Sequence, residues 1–234
     1  MKEIASKSKK ECSRDTSEGI PASFRPTRDI QVVSGGGYIE GSFTLLRLSG
    51  ERADAALFFA GLIDSHARGA AVDVARWYLR AAVSEFRSVF DLLPADLRQY
   101  DISNKWARSQ FKQELDAHIL VSILKKIRNF TVHSRHVRGV DRAFSLIVLS
   151  EGAEHQESIP SIFIEPLNRQ AHGREIASVS DEELTWFNRQ TTIWPAHLLI
   201  QEAIYQTSIL LRNFLVVSQS HTKLRNNAKG IDYV

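Results

Sequence analysis

The stretch from about 105 to 134 constrains the fold more than any other part of the chain. Leu115, Ile119, Ile123, Ile127 and Phe130 recur there at three- and four-residue steps. That period draws one apolar stripe along a helix, and Leu120 and Leu124 widen it. A helix with such a stripe must bury it against other elements. Two further regions offer partners. Residues from about 51 to 93 read as two helices split near Arg68-Gly69. The second of these carries Val72, Ala75, Leu79, Ala82, Phe86, Val89 and Leu93 on one face, with Pro94 expected to end it. A last helical region starts at Ser180-Asp181-Glu182-Glu183, a capping-box pattern, and extends to about 218. Pro195 is expected to kink or interrupt it.

Between the second and third regions the period changes. Phe144 to Leu149 is dense in aliphatic and β-branched residues, Ile159 to Ile164 is similar, and a polar connection bearing Gly152 separates them. This predicts a two-stranded β-hairpin at about 142–165, packed on the helices because a lone hairpin is marginal in water. The expected fold is mostly α, a bundle of four to five helices with this hairpin inserted. Residues 1–37 read as a flexible polar tail, 38–220 as the helical domain, and 221–234 as a mobile C-terminal tail. Ser34-Gly35-Gly36-Gly37 reads as a joint rather than a phosphate loop, since no Gly-Lys-Ser/Thr follows it.

Composition narrows the class. The chain has 234 residues, 43% of them hydrophobic and 24% charged, which is ordinary for a folded domain able to bury a sizeable core. The single cysteine, Cys12, has no intrachain partner, which fits a reducing compartment or a protein indifferent to redox state. The polar start of the chain shows no apolar signal segment. The apolar run from Leu198 to Val217 is broken by Gln201, Glu202, Gln206 and Arg212, so it predicts a buried helix rather than a membrane span. Together these features predict a cytoplasmic protein with no membrane partner. A net charge of +3 permits a nucleic-acid partner without requiring one.

The chemistry-bearing stretch closes the most regular apolar helix: Lys125-Lys126-Ile127-Arg128-Asn129-Phe130-Thr131-Val132-His133-Ser134-Arg135-His136. Arg128 and His133 are five positions apart, about 140° around an ideal helix and roughly 7.5 Å along it. They do not stack on one face, but they flank a groove at a helix end. Histidine exchanges a proton near neutral pH. Arginine grips a phosphate through two parallel hydrogen bonds, and asparagine offers donor and acceptor on one short arm. These groups suit RNA scission by the 2′-hydroxyl, a reaction whose nucleophile lies in the substrate and calls for no metal or other cofactor. Lys125, Lys126, Arg135, His136, Arg138 and Arg142 surround the motif and suit a polyanionic backbone.

Arg128-Asn129-Phe130-Thr131-Val132-His133 resembles the Arg-Asn-x-x-x-His form of the Arg-x4–6-His motif of HEPN proteins. The resemblance covers six positions as a motif and about 50–218 as helix order. It implies a HEPN-like bundle, often dimeric, and a metal-independent endoribonuclease of the kind used in toxin–antitoxin and antiviral defence systems. It further implies that Arg128 and His133 are catalytic, that Asn129 assists, and that two protomers bring their motifs into one cleft. A neutralising or regulatory partner protein would fit that setting. Some members carry a tyrosine two places after the histidine; Arg135 stands there in this chain, so regulation through that tyrosine is not expected.

Other readings remain open at this level. Arg128 and His133 also suit a plain helix C-terminus, where cations are favoured. A related alternative is a non-catalytic HEPN module that binds a partner protein, nucleotide or RNA. His118, His133 and His136 raise a metal site, but no carboxylate or cysteine stands at helical spacing beside the last two, and no metal is expected. Glu85 and Arg87 are candidates for the same cleft, with surface pairing preferred for Glu85. Trp77, Trp106, Trp186 and Trp194 read as core or interface anchors. The chain also echoes its own motif at Arg212-Asn213-Phe214, with Val217 where a histidine would stand.

Overall fold

The computed structural model describes residues 46–99, 105–133, 138–150, 153–172 and 176–229. In chain order the elements are α1 (Arg47–Arg68), α2 (Val72–Gln99), α3 (Lys105–Ala117), α4 (Ile119–His133), β1 (Gly139–Ser150), β2 (Ala153–Ile164), α5 (Arg169–His172), α6 (Asp181–Ile193) and α7 (Ala196–Lys229). The molecule is a mostly helical bundle with one two-stranded antiparallel sheet, as the alternating periods predict. No helix among the described residues is long and apolar enough to cross a membrane.

α1 and α2 form an antiparallel pair joined by a tight turn at the expected place. The backbone N–H groups of Gly69, Ala70 and Ala71 donate to the carbonyls of Ser65, Ala67 and His66, closing the end of α1. The left-handed residue of that turn is Ala70, at φ 59°, rather than the glycine before it. A β-carbon in that region costs about 1 kcal/mol, so the packing of the two helices must hold it there. Phe59 stacks on Tyr78 and Arg52 pairs with Glu85 across the pair. Glu85 thus has the surface role expected of it, and Arg87 pairs with Asp91 along its own helix at 3.2 Å.

The far end of this pair shows why Pro94 does not stop α2. The helix continues through it to Gln99, because Leu93 and Leu97 are both buried and Asp96 has a partner elsewhere. Leu46, the N-cap of α1, offers no side-chain acceptor. The fully buried Asp96 carboxylate fills that role from the other helix, accepting from Leu48 N at 3.1 Å and Ser49 N at 2.7 Å. A carboxylate suits the positive end of a helix and satisfies two otherwise orphaned donors. Tertiary contacts here outweigh the local cost of proline.

Two more boundaries differ from the sequence period. The helix expected over 105–134 breaks at His118 into α3 and α4, which meet in a turn where His118 N–H donates to Leu115 O. Phe111 and Leu115 can then face α7, where the Phe111 and Phe214 rings lie 4.8 Å apart, while α4 packs on α2 and α7. The C-terminal helix does break at Pro195, into α6 and α7, and α6 begins with the expected capping box between Ser180 and Glu183. It runs on to Lys229, however, past the expected end near 218 and into the region read as a tail from 221. No proline or glycine interrupts 218–229, and lengthening an existing helix avoids the cost of a new nucleus.

The hairpin pairs Gly139 with Ile164 and ends with Ser150 opposite Ala153. This register fixes which segments meet. The apolar run from Phe144 lies opposite 154–159, and the apolar run from Ile159 lies opposite Gly139–Phe144, so the two runs coincide only at the pair Phe144–Ile159. The half near the helices is docked: Ile159, Ser161, Ile162, Phe163 and Ile164 are buried. Gly139 permits that docking, since a Cβ there would lie 2.7 Å from Cγ2 of the fully buried Ile162 and 3.3 Å from Leu79. Arg76 locks the same corner, donating to Gly139 O, Asp73 and Asp141, each at 2.9 Å.

Candidate functional site

α4 carries the motif. Its first half is anchored on the core by Leu120, Val121, Ile123, Leu124 and Ile127, all nearly inaccessible to solvent. The backbone stays helical to His133, so Arg128, Asn129 and His133 occupy its last two turns. Their side chains, like those of Phe130, Thr131 and Val132, lie outside the described residues, as do Arg135 and His136 altogether. Backbone geometry nonetheless orders the positions. Relative to buried Ile127, position 128 is turned about 100° to one side and position 133 about 120° to the other. Position 129 stands about one turn before 133, on its side of the helix.

The neighbouring basic residues do not all have the same freedom. Lys125 is mostly buried: its ammonium meets Asp116 Oδ1 at 3.1 Å and lies 5.4 Å from the centre of the Phe90 ring. Lys112 donates to the other oxygen of the same carboxylate at 2.6 Å. Burial pushes the Asp116 carboxyl up, but these hydrogen bonds and charges outweigh it and hold its pKa below the ordinary value. Lys126 is half-buried and has no ion pair among the described residues. Arg138 is exposed beside the start of β1, 3.9 Å from Glu165, and Arg142 lies exposed over the Phe163 ring. Lys125 is thus committed to a bridge between α3 and α4, and Asp116 is the partner that sequence reading missed. The one local hint was the four-residue spacing of Lys112 and Asp116.

The echo of the motif on α7 is described. Leu211 is buried, Arg212 and Asn213 are exposed, and Phe214 is buried against Phe111. An Arg-Asn-Phe run following a buried aliphatic residue therefore presents its polar pair outward on this bundle. Of the other histidines considered, His118 is more than half buried, and burial lowers its pKa. Neither of its ring nitrogens has a hydrogen-bond partner among the described residues.

The tryptophans divide. Trp186 and Trp194 pack against the core, and Trp194 lies 6.2 Å from Phe144 of the hairpin. Trp77 is 71% exposed, so it is no core anchor. The Trp106 side chain lies outside the described residues.

A second polar cluster, unforeseen in the sequence, joins α1 to α7. Asp64 accepts from Arg68 Nε at 3.0 Å and lies 3.7 Å from Nε2 of the buried His197. Burial lowers the His197 pKa to about 4; Asp64 opposes that shift and Arg68 adds to it. The folded value is below the unfolded value near 6.5. The unfolded chain therefore binds a proton that the folded chain refuses, and stability is complete above about pH 6.5 and falls as pH drops towards 4. The expected loss is about 3 kcal/mol at pH 4. Urea unfolding of wild type and His197→Gln at pH 7 and pH 4.5 measures it. Equal pH slopes in the two proteins would show that His197 does not carry the effect.

Comparison with family models, curated proteins and solved structures gives no match to this chain. The functional reading therefore stands on the residues themselves.

Proposed function

We propose that the chain is a metal-independent endoribonuclease of the HEPN type, working at the end of α4. The observation that carries the proposal is the motif Arg128-Asn129-x-x-x-His133 on a helix anchored up to Ile127. Positions 128 and 129 stand to buried Ile127 as the exposed Arg212 and Asn213 stand to buried Leu211. That phase supports presentation of the arginine and asparagine to a ligand rather than to the core.

In the proposed reaction the RNA 2′-oxygen loses its proton to a base and attacks the adjacent phosphorus. The P–O5′ bond breaks, and the leaving oxygen takes a proton from an acid. The products are a 2′,3′-cyclic phosphate and a 5′-hydroxyl. His133 is the proton carrier, Arg128 neutralises the phosphate as charge builds on it, and Asn129 orients. One histidine cannot be base and acid at once. A second protomer, with its motif facing the first, supplies the other group and makes the homodimer the working unit. Lys126 and Arg138 have charge left for the RNA backbone, whereas Lys125 is held by Asp116. A growth-inhibiting or phage-defence role, with a neutralising partner protein, belongs to the same proposal.

The test is purified protein on total cellular RNA with millimolar chelator present, followed by end-group analysis. Fragments ending in cyclic phosphate are expected. RNA that is bound but not cut would replace this reading with the non-catalytic binding module. Cutting that chelator abolishes and added metal restores would contradict the chemistry.

A further inference from the structure

The exposed positions of α1 are not scattered. Glu51, Asp54, Phe58, Gly61, Ser65 and Arg68 are all exposed, and they follow one another at alternating steps of three and four residues. An average step of 3.5 keeps a stripe in line with the helix axis, and it is the spacing of the seam between two helices lying side by side. Here the seam faces away from the bundle. At its middle, Phe58 is 62% exposed, and three residues on, Gly61 has nothing within 4 Å of where a Cβ would stand. A large apolar ring thus adjoins an open notch. On α2, Trp77 is 71% exposed and Val74 42% exposed as well, but α2 packs against the side of α1 that carries Arg52 and Phe59, not against this stripe.

The stripe also maps onto itself when reversed. About the midpoint between 58 and 61, Phe58 exchanges with Gly61, Asp54 with Ser65, and Glu51 with Arg68. Each exchange is complementary: ring with notch, carboxylate with hydroxyl, anion with cation. We propose that a second copy of this chain docks on α1, the two α1 helices running antiparallel across a two-fold axis near residues 59 and 60. An isologous contact of this kind needs each patch to complement its own reverse, and the three exchanges meet that requirement. Within one copy Glu51 already pairs with Arg47 and Arg68 with Asp64, so the central residues carry more of the contact than the charged ends. The ring of Phe58 fills the space over Gly61 of the other copy. α4 packs on α2 and α7. The α1 contact is therefore separate from any pairing of two motif-bearing helix ends, and it fails or holds independently of the ribonuclease reading.

Sedimentation velocity of the full chain across the micromolar range tests the proposal. Wild type is expected to associate reversibly through α1, joining motif-paired dimers into a larger assembly. Phe58→Glu, which puts a charge on an already exposed position, abolishes this step and leaves the smaller species while the melting temperature stays unchanged. Ser65→Lys places a cation opposite Asp54 twice per dimer and tightens association by roughly two- to thirty-fold. Ser65→Asp loosens it, and adding Asp54→Lys to that variant restores it. Neither Asp54 nor Ser65 makes a side-chain bond among the described residues, so folding does not confound the series. A wild type that is monomeric throughout the range overturns the proposal. So does a dimer indifferent to both Phe58→Glu and Ser65→Lys.

Discussion

His133→Ala lowers RNA cleavage by roughly 10²–10⁴-fold, the range for loss of a positioned proton carrier. The melting temperature stays close to that of wild type, because position 133 is the last residue of α4, six positions beyond Ile127, the last of its described core residues. Arg128→Lys is also impaired, because an ammonium cannot reproduce the paired donors of a guanidinium on a phosphate. A mixed dimer of Arg128→Ala and His133→Ala protein brings one arginine and one histidine to the cleft, so it exceeds either parent but stays well below wild type, water standing in for the second proton carrier. A His133→Ala protein that cuts RNA at the wild-type rate would remove the enzymatic reading altogether. Normal cleavage by Arg128→Lys would leave a proton carrier without its phosphate clamp.

The largest stability effect is expected at Asp96. Replacing it with alanine removes a buried carboxylate and leaves the Leu48 and Ser49 amides without their acceptor. The cost is about 2–4 kcal/mol, since two donors at the positive end of a helix lose a charged partner together. For a domain of this size, that lowers the melting temperature by roughly 5–15 °C. Asp96→Asn keeps one acceptor oxygen and falls between wild type and Asp96→Ala. Thermal unfolding of the three proteins at pH 7 decides the matter. An Asp96→Ala protein within 2 °C of wild type (about 1 kcal/mol or less) would mean that water caps α1 equally well.

What could be read beforehand was what local chemistry governs. The apolar period and a break at Arg68-Gly69 delimited α1 and α2, the Ser180–Glu183 box opened α6, and Pro195 separated α6 from α7. Each is decided by residues within one or two helical turns. The errors came from distant partners. Pro94 is a helix breaker by itself, but the tie from Asp96 to the start of α1 and the burial of Leu97 carry α2 past it. The stripe from 105 to 134 looks continuous, yet α3 packs on α7 while α4 turns chiefly towards α2, and the two part at His118. Trp77, read as a core or interface anchor, is kept out of the core by how α2 is turned against its neighbours.

The site divides in the same way. The motif was visible because its residues are neighbours in sequence. The Asp116 hold on Lys125 was hidden because it joins two helices. The Asp64–His197 contact bridges more than half the chain, and no periodic signal marks it.

The hairpin has one more geometric property. The chain leaves the helices at Arg138 and returns at Glu165, and the N–H of Glu165 donates to the carbonyl of Arg138 at 2.9 Å. Departure and return therefore share one doorway, and past the docked half that ends near the Phe144–Ile159 pair the strands run on with no described contact to the helices. Adding or removing two residues in each strand preserves which face every remaining side chain occupies and changes the span by about 7 Å. Closing a longer excursion adds little entropy cost, because that cost grows only with the logarithm of its length. The hairpin is in this sense a telescoping module, and its reach is free to vary while the bundle and the end of α4 stay where they are.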